Sequence, residues 1–174
     1  MKSKGKQFEA DLQQSFDCYR LGGFALIEKV DPPIRVINRR AKQMPNPWLD
    51  FSGSWGGQSI HIEAKERQPT TKRADDCWLP IGRDDGLTAK QVEQLVAWGE
   101  SLAVSFVLWN LIGHETRLFN WTQIKELADQ GIDRLYWPEG TPVKTMIGQD
   151  GHILLDPLST YKFDFVPACS KKSE

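Results

Sequence analysis

The stretch that most constrains this chain runs from residue 48 to residue 66. It reads Trp48-Leu49-Asp50-Phe51-Ser52-Gly53, passes through Trp55-Gly56-Gly57-Gln58, and continues as Ile60-His61-Ile62-Glu63-Ala64-Lys65-Glu66. Paired glycines between two such runs are a hairpin signal. In a strand, residues two apart share a face. Ile60, Ile62 and Ala64 therefore point to the interior, and Glu63 and Lys65 point together to the other side. Pairing of the two strands sets Asp50 beside Glu63. Two carboxylates and an ammonium then meet at one sheet edge. Such oxygen donors suit a hard divalent cation and the placement of a water beside it.

The surrounding chain supplies a frame for this hairpin. Phe8, Leu12, Phe16 and Tyr19 fall at helical spacing and predict a helix over 4–20, ended by Gly22-Gly23. Glu9 lies beside that stripe, where a first-turn acid also favours the helix dipole. Residues 24–30 alternate as a strand, which Asp31-Pro32-Pro33 breaks or confines to an edge. Residues 34–47 carry Arg35, Arg39, Arg40 and Lys42 and close on Pro45 and Pro47. They read as a basic projecting segment that touches phosphates, or more plainly as a solvated loop. Residues 66–86 read as an irregular loop with Arg67, Lys72, Arg73 and the acid pairs Asp75-Asp76 and Asp84-Asp85; so long a loop in a compact domain is usually functional or mobile.

Thr88-Ala89-Lys90-Gln91 is a capping box that opens a helix to about Ser101, so Gln91 has a structural role available to it. The nearly all-apolar run over 103–111 predicts a central strand buried on both faces. A strand over 114–121, a helix capped by Thr122, a last strand over 151–155 and a frayed polar tail over 170–174 complete the chain. The element order predicts an α/β fold, a mixed sheet with helices against its faces.

Composition narrows the function classes. The length suits a single domain over residues 1–174. No apolar run of about eighteen residues is present, so no membrane partner is expected. The Met-Lys-Ser-Lys-Gly-Lys start has no apolar stretch behind it, and so no signal peptide is visible. Cys18, Cys77 and Cys169 are odd in number and lack metal-ligand spacing, which suggests reduced thiols and a cytoplasmic location. Net charge is −1, yet residues 1–73 hold 13 Lys and Arg against 8 Asp and Glu, and residues 74–174 hold 9 against 15. The half with the Asp50, Glu63 and Lys65 set is thus the basic half, as suits a polyanionic substrate.

Five segments together resemble the successive motifs of RecU-type Holliday-junction resolvases, within the PD-(D/E)xK nuclease superfamily. They are Gly5-Lys6-Gln7-Phe8-Glu9, Lys29-Val30-Asp31-Pro32-Pro33-Ile34, residues 50–57, Ile62-Glu63-Ala64-Lys65-Glu66, and Gln91-Val92-Glu93-Gln94-Leu95. The similarity extends into 106–111 and covers roughly residues 5–155. It implies a restriction-endonuclease-like core whose mixed sheet has about five strands. It also implies an Mg²⁺-dependent endonuclease, with Mn²⁺ as the alternative ion, acting on branched DNA at a four-way junction. Two symmetric cuts need two sites, hence a homodimer. Carried over by position, Asp50 and Glu63 ligate the metal with the backbone carbonyl of Ala64 as third ligand. Lys65 positions or activates water and offsets charge on phosphorus. Glu9 stands at the edge of the metal site, and Gln91 reaches it from its helix. Lys4, Lys6, Arg35, Arg39, Arg40, Lys42, Arg67, Lys72 and Arg73 are the expected DNA contacts.

The chain departs from that pattern in three places. Leu49 stands where the superfamily has its Pro, the segment before Asp50 is shorter than the family's junction-entering stalk, and the stretch after Lys65 is longer. A compact or phage-borne version of the family fits these differences. Two other functions remain open to such a sequence: a restriction-like or flap nuclease on duplex or single-stranded DNA, and a non-catalytic DNA-binding recombination accessory protein.

Overall fold

The structure, a computed structural model, describes residues 6–32, 34–37, 40–43 and 49–164. Helix α1, Lys6–Leu21, buries Phe8, Leu12, Phe16 and Tyr19. Gly23 ends it with φ +69°, a left-handed stop that glycine adopts without strain. Strand β1 is Ala25–Lys29, and β2, Ile34–Ile37, pairs with β3, Arg40–Gln43, as a hairpin of its own. Strands β4, Phe51–Trp55, and β5, Gln58–Arg67, form the central hairpin. Gly56 and Gly57 turn it with φ +58° and +84°, as a two-residue turn with both φ positive requires. Next come β6, Trp78–Pro80; α2, Ala89–Glu100; β7, Val104–Leu111; β8, Thr116–Asn120; and α3, Trp121–Asp129. The chain closes with β9, Arg134–Tyr136; β10, Thr141–Pro142; β11, Lys144–Ile147; β12, Ile153–Asp156; and α4, Pro157–Asp164.

Six strands make the main sheet in the order β1-β4-β5-β7-β8-β10. β5 and β7 run parallel and the other pairings are antiparallel. A parallel pair needs a crossover, and α2 supplies it, passing over one face. Period-2 alternation divides two cores between the faces. Ile60, Ile62, Phe106 and Leu108 pack with α1 and Leu158, whereas Val107 and Trp109 pack with Leu95, Ile124, Leu79 and Leu135. β7 is buried on both sides, as its apolar run predicts. Gly53 lets β4 lie close to β1, because a Cβ there would stand 1.9 Å from the Leu26 carbonyl oxygen.

The mixed sheet expected to have about five strands is present and has six. Other sequence expectations are corrected. Residues 34–37 and 40–43 are not loop: they form an antiparallel ladder with Arg35 opposite Lys42 and Ile37 opposite Arg40. Residues 38–39 and 44–48 lie outside the described residues. The stretch after Lys65 is not free either. β5 runs on to Arg67, β6 pairs with β9, and Cys77, Leu79, Ile81 and Leu87 are buried in the second core. Cys77, Leu79 and Ile81 alternate with strand period, but the run is short and broken by Pro80, and the strand that completes it, β9, lies far along the chain. Helix α3 is capped by Asn120, whose side chain accepts from the Gln123 N–H at 3.0 Å, rather than by Thr122. β9, β10, β11 and α4 were not foreseen. The tail over 170–174 lies outside the described residues.

Candidate active site

Asp50 is the residue before β4 starts, and Phe51 pairs with Ile62. The next step outward brings Asp50 to Glu63, as the hairpin predicts. β4 ends its pairing here, so the edge of β5 beyond Ile62 needs another partner. The Ala64 N–H finds it in Asp50 Oδ2 at 2.9 Å. In an extended strand the N–H and C=O of one residue face the same edge, which places the Ala64 carbonyl on the Asp50 side. The Val30 N–H donates to the Asp50 carbonyl at 2.8 Å and holds the backbone there.

Glu63 is 1% exposed. Its Oε1 meets Lys65 Nζ at 2.8 Å and accepts from Gln91 Nε2 at 2.6 Å. Its Oε2 is buried and meets no donor. Burial first, and the Asp50 charge second, push its pKa up to about 8, against the pull of Lys65. Burial also raises Asp50, against the Ala64 N–H and Lys65. Two carboxylates this close and this dry do not both ionise easily, so burial and mutual repulsion favour a proton on the pair. An orphaned buried carboxylate oxygen beside a second carboxylate and a backbone carbonyl is a donor set that a hard divalent cation fits. Among the described residues no group of three or more His, Cys, Asp or Glu side chains converges to hold a metal; beyond the two carboxylates, oxygen must come from backbone or water.

Gln91 both caps its helix and enters this site. Its Oε1 accepts from the Thr88 N–H at 3.0 Å and from Lys65 Nζ at 3.2 Å. With the oxygen so engaged, the amide nitrogen must face Glu63. The capping box, completed by the Gln91 N–H on Thr88 Oγ1 at 3.2 Å, thus orients a side chain that serves the carboxylate. Farther along α2, Trp98 stacks on His61 with ring centroids 3.9 Å apart and planes 14° apart. His61 Nδ1 lies 3.2 Å from Ser52 Oγ. Helix α2 is therefore pinned to β5 at both ends. Sequence reading missed Thr88 as an orienting group and missed Ser52, His61 and Trp98. The available signal was spacing: His61 precedes Glu63 by two on a strand, and Trp98 follows Gln91 by seven on a helix.

The remaining expected residues are placed as follows. Glu9 projects from the first turn of α1 and pairs with Lys29, and its charge raises the Asp50 pKa. Lys6 opens α1, and Arg35, Arg40 and Lys42 lie on the β2–β3 ladder. Lys4 and Arg39 lie outside the described residues. Arg67 is turned onto the neighbouring loop, donating to the Asp85 carbonyl at 2.6 Å. Lys72 is exposed, and Arg73 is 76% exposed with its guanidinium 3.9 Å from Asp76. One acid of each pair thus acts as a counterion: Asp76 for Arg73, Asp85 for Arg83 and Arg67.

Residues 3–134 match the model of a family described as RecU, recombination protein U. The chain is 29% identical over 80 residues to a Holliday junction resolvase RecU from Bacillus pumilus (strain SAFR-032), a match spanning 40% of this chain and 39% of that protein. A solved structure of Archaeoglobus fulgidus Hjc, a Holliday junction resolvase, superposes with a TM-score of 0.43 at 18% identity, over 91% of this chain and 93% of that one. So loose a superposition carries no argument about the site.

Proposed function

The chain belongs to the RecU family, and from that premise we propose that it is a single-domain, metal-dependent, structure-specific DNA endonuclease that resolves Holliday junctions by paired phosphodiester hydrolysis, working as a homodimer. The observation that carries the reading is the buried Asp50–Glu63 pair, with Lys65 and Gln91 both on the Glu63 carboxylate.

Asp50, Glu63 and the Ala64 carbonyl would hold the ion, and Mg²⁺ suits donors that are all oxygen, with Mn²⁺ as substitute. When bound, such an ion supplies Lewis-acid stabilisation and acidifies water. The protein does the rest. Glu63 and Gln91 hold the Lys65 ammonium in one place. There it orients the attacking water and offsets charge building on the phosphoryl oxygens. Gln91, its amide fixed by Thr88, keeps Glu63 from rotating away. The basic β2–β3 hairpin suits contact with the DNA backbone.

Metal binding at this pair competes with the proton that burial and repulsion favour there. Mn²⁺ affinity of the protein alone, measured by calorimetry, is therefore expected to rise with pH and to level off above about 8, where Glu63 is already ionised. An affinity independent of pH between 6 and 8 would remove that proton from the account.

The function is tested by incubating the protein and its Lys65→Ala variant with labelled four-way junction, duplex and single strand, in Mg²⁺ or in EDTA. Symmetric nicks on the junction alone, lost in EDTA and lowered at least about 10³-fold in the variant, are expected. Cutting of duplex or single strand instead would mark a restriction-like or flap nuclease. Tight binding with no cutting would mark an accessory protein.

A further inference from the structure

Lys29 ends β1, opposite Phe51 and so one step from Asp50. Its ammonium pairs with Glu9, and the charges of Asp50 and Asp31 also act on it. Its side chain is 43% exposed, against 22% for Lys65. The two lysines are thus differently placed. Lys65 spends its ammonium inside, on Glu63 and Gln91. Lys29 stands where β1 ends and α1 begins, on the outer side of Asp50, with its ammonium on the Glu9 carboxylate.

Lys29 and Glu9 are neutral as a pair, so they leave the net charge of the site unchanged and add an ammonium on the outer side of Asp50. A partly exposed ammonium beside the metal-fitting carboxylates is also placed to meet an incoming anion.

We propose that Lys29 is a second phosphate-contacting cation of this site, held ready by Glu9, and that its ammonium takes a non-bridging oxygen of the scissile phosphodiester while Lys65 stays locked on Glu63 and Gln91. This rests on the nuclease reading above. It gives Glu9 a different task from the edge of the metal site: Glu9 is a positioning residue that aims Lys29. The contact forms no covalent bond. It lowers the cost of bringing a phosphate against two carboxylates and offsets charge as the phosphoryl group is attacked.

The test compares Lys29→Met, Lys29→Arg and Glu9→Gln with the parent protein. Three quantities are read: junction binding in EDTA as a function of salt, single-turnover junction cleavage in Mg²⁺, and Mn²⁺ affinity of the protein alone. Lys29→Met is expected to lower the cleavage rate about 10²-fold. It should reduce the salt slope of junction binding by about one phosphate contact, and leave Mn²⁺ affinity unchanged or tighter, since a cation near Asp50 is gone. Lys29→Arg should restore most of the rate, and Glu9→Gln should fall between. Parent-like cleavage and salt slope in Lys29→Met would overturn the proposal. So would a loss of Mn²⁺ affinity that parallels the loss of cleavage, because Lys29 would then serve the carboxylates and not the phosphate. If the parent protein cuts no DNA at all, the nuclease reading fails, and the salt slope in EDTA still decides whether Lys29 touches phosphate. Lys29 is partly exposed, so an unchanged melting temperature is expected to accompany every variant at that position.

Discussion

Asp50→Asn is expected to abolish junction cleavage, by at least about 10³-fold, and at the same time to stabilise the metal-free protein at pH 8. The first effect follows from removing a charged oxygen from a site whose other side-chain oxygens belong to Glu63. The second follows from burial and repulsion. Glu63 ordinarily titrates near 4.5 and is pushed to about 8 in the folded protein, and Asp50 is raised with it. Below 4.5 the proton is bound in folded and unfolded chains alike. As pH rises toward 8 the folded protein keeps a proton that the unfolded chain has released, so stability is progressively lost over that window. Asn removes the Asp50 charge, lets Glu63 ionise more easily, and still offers an oxygen to the Ala64 N–H. A gain of about 1–2 kcal/mol, or a few degrees in melting temperature, is in the range seen when a strained functional group is neutralised. Thermal unfolding in EDTA at pH 5 and pH 8 measures it. A variant that melts lower than the parent at pH 8 would show that Asp50 and Glu63 support the fold instead of straining it.

Trp109→Ala is expected to cost about 3–5 kcal/mol, a large part of the 5–15 kcal/mol typical of a domain. Trp109 is fully buried on β7 opposite Lys65, in the core that also holds Leu49, Leu95 and Ile124, and its ring lies 6.1 Å from Phe119. Those neighbours belong to strands and helices that pin one another, so the void collapses poorly. The indole N–H is buried without an acceptor. Trp109→Phe therefore abandons no hydrogen bond and should cost only about 1–2 kcal/mol. Urea midpoints for the two variants check the asymmetry. Equal losses would mean that the N–H has a partner after all.

Much of the fold was legible because it rests on local periodicity. The apolar stripe of Phe8, Leu12, Phe16 and Tyr19 makes α1, the glycine pair makes the central hairpin, and the unbroken apolar run makes β7. What stayed hidden depends on distant partners. β6 is a strand because β9 lies beside it. Cys77 and Leu79 are core because Leu135 and Trp137 cover them. Cap chemistry was readable at Thr88 but misread at Thr122, since Asn120, two residues earlier, competes for the same role and wins by accepting from the Gln123 N–H.

The site divides along the same line. The sequence by itself determined that Glu63 and Lys65 share a face and that Asp50 falls opposite Glu63, because strand period and hairpin register are short-range geometry. It also determined that Gln91 sits in the first turn of a helix. Only the tertiary structure decided that the cap of that helix turns the Gln91 amide onto Glu63, and that His61 and Trp98 stack to hold the helix there. It alone buried Glu63 to the point of favouring a proton and paired Glu9 with Lys29. Register is carried by neighbours in the chain. Burial, charge coupling and the aim of a side chain come from whatever the fold packs against it, which no spacing of letters records.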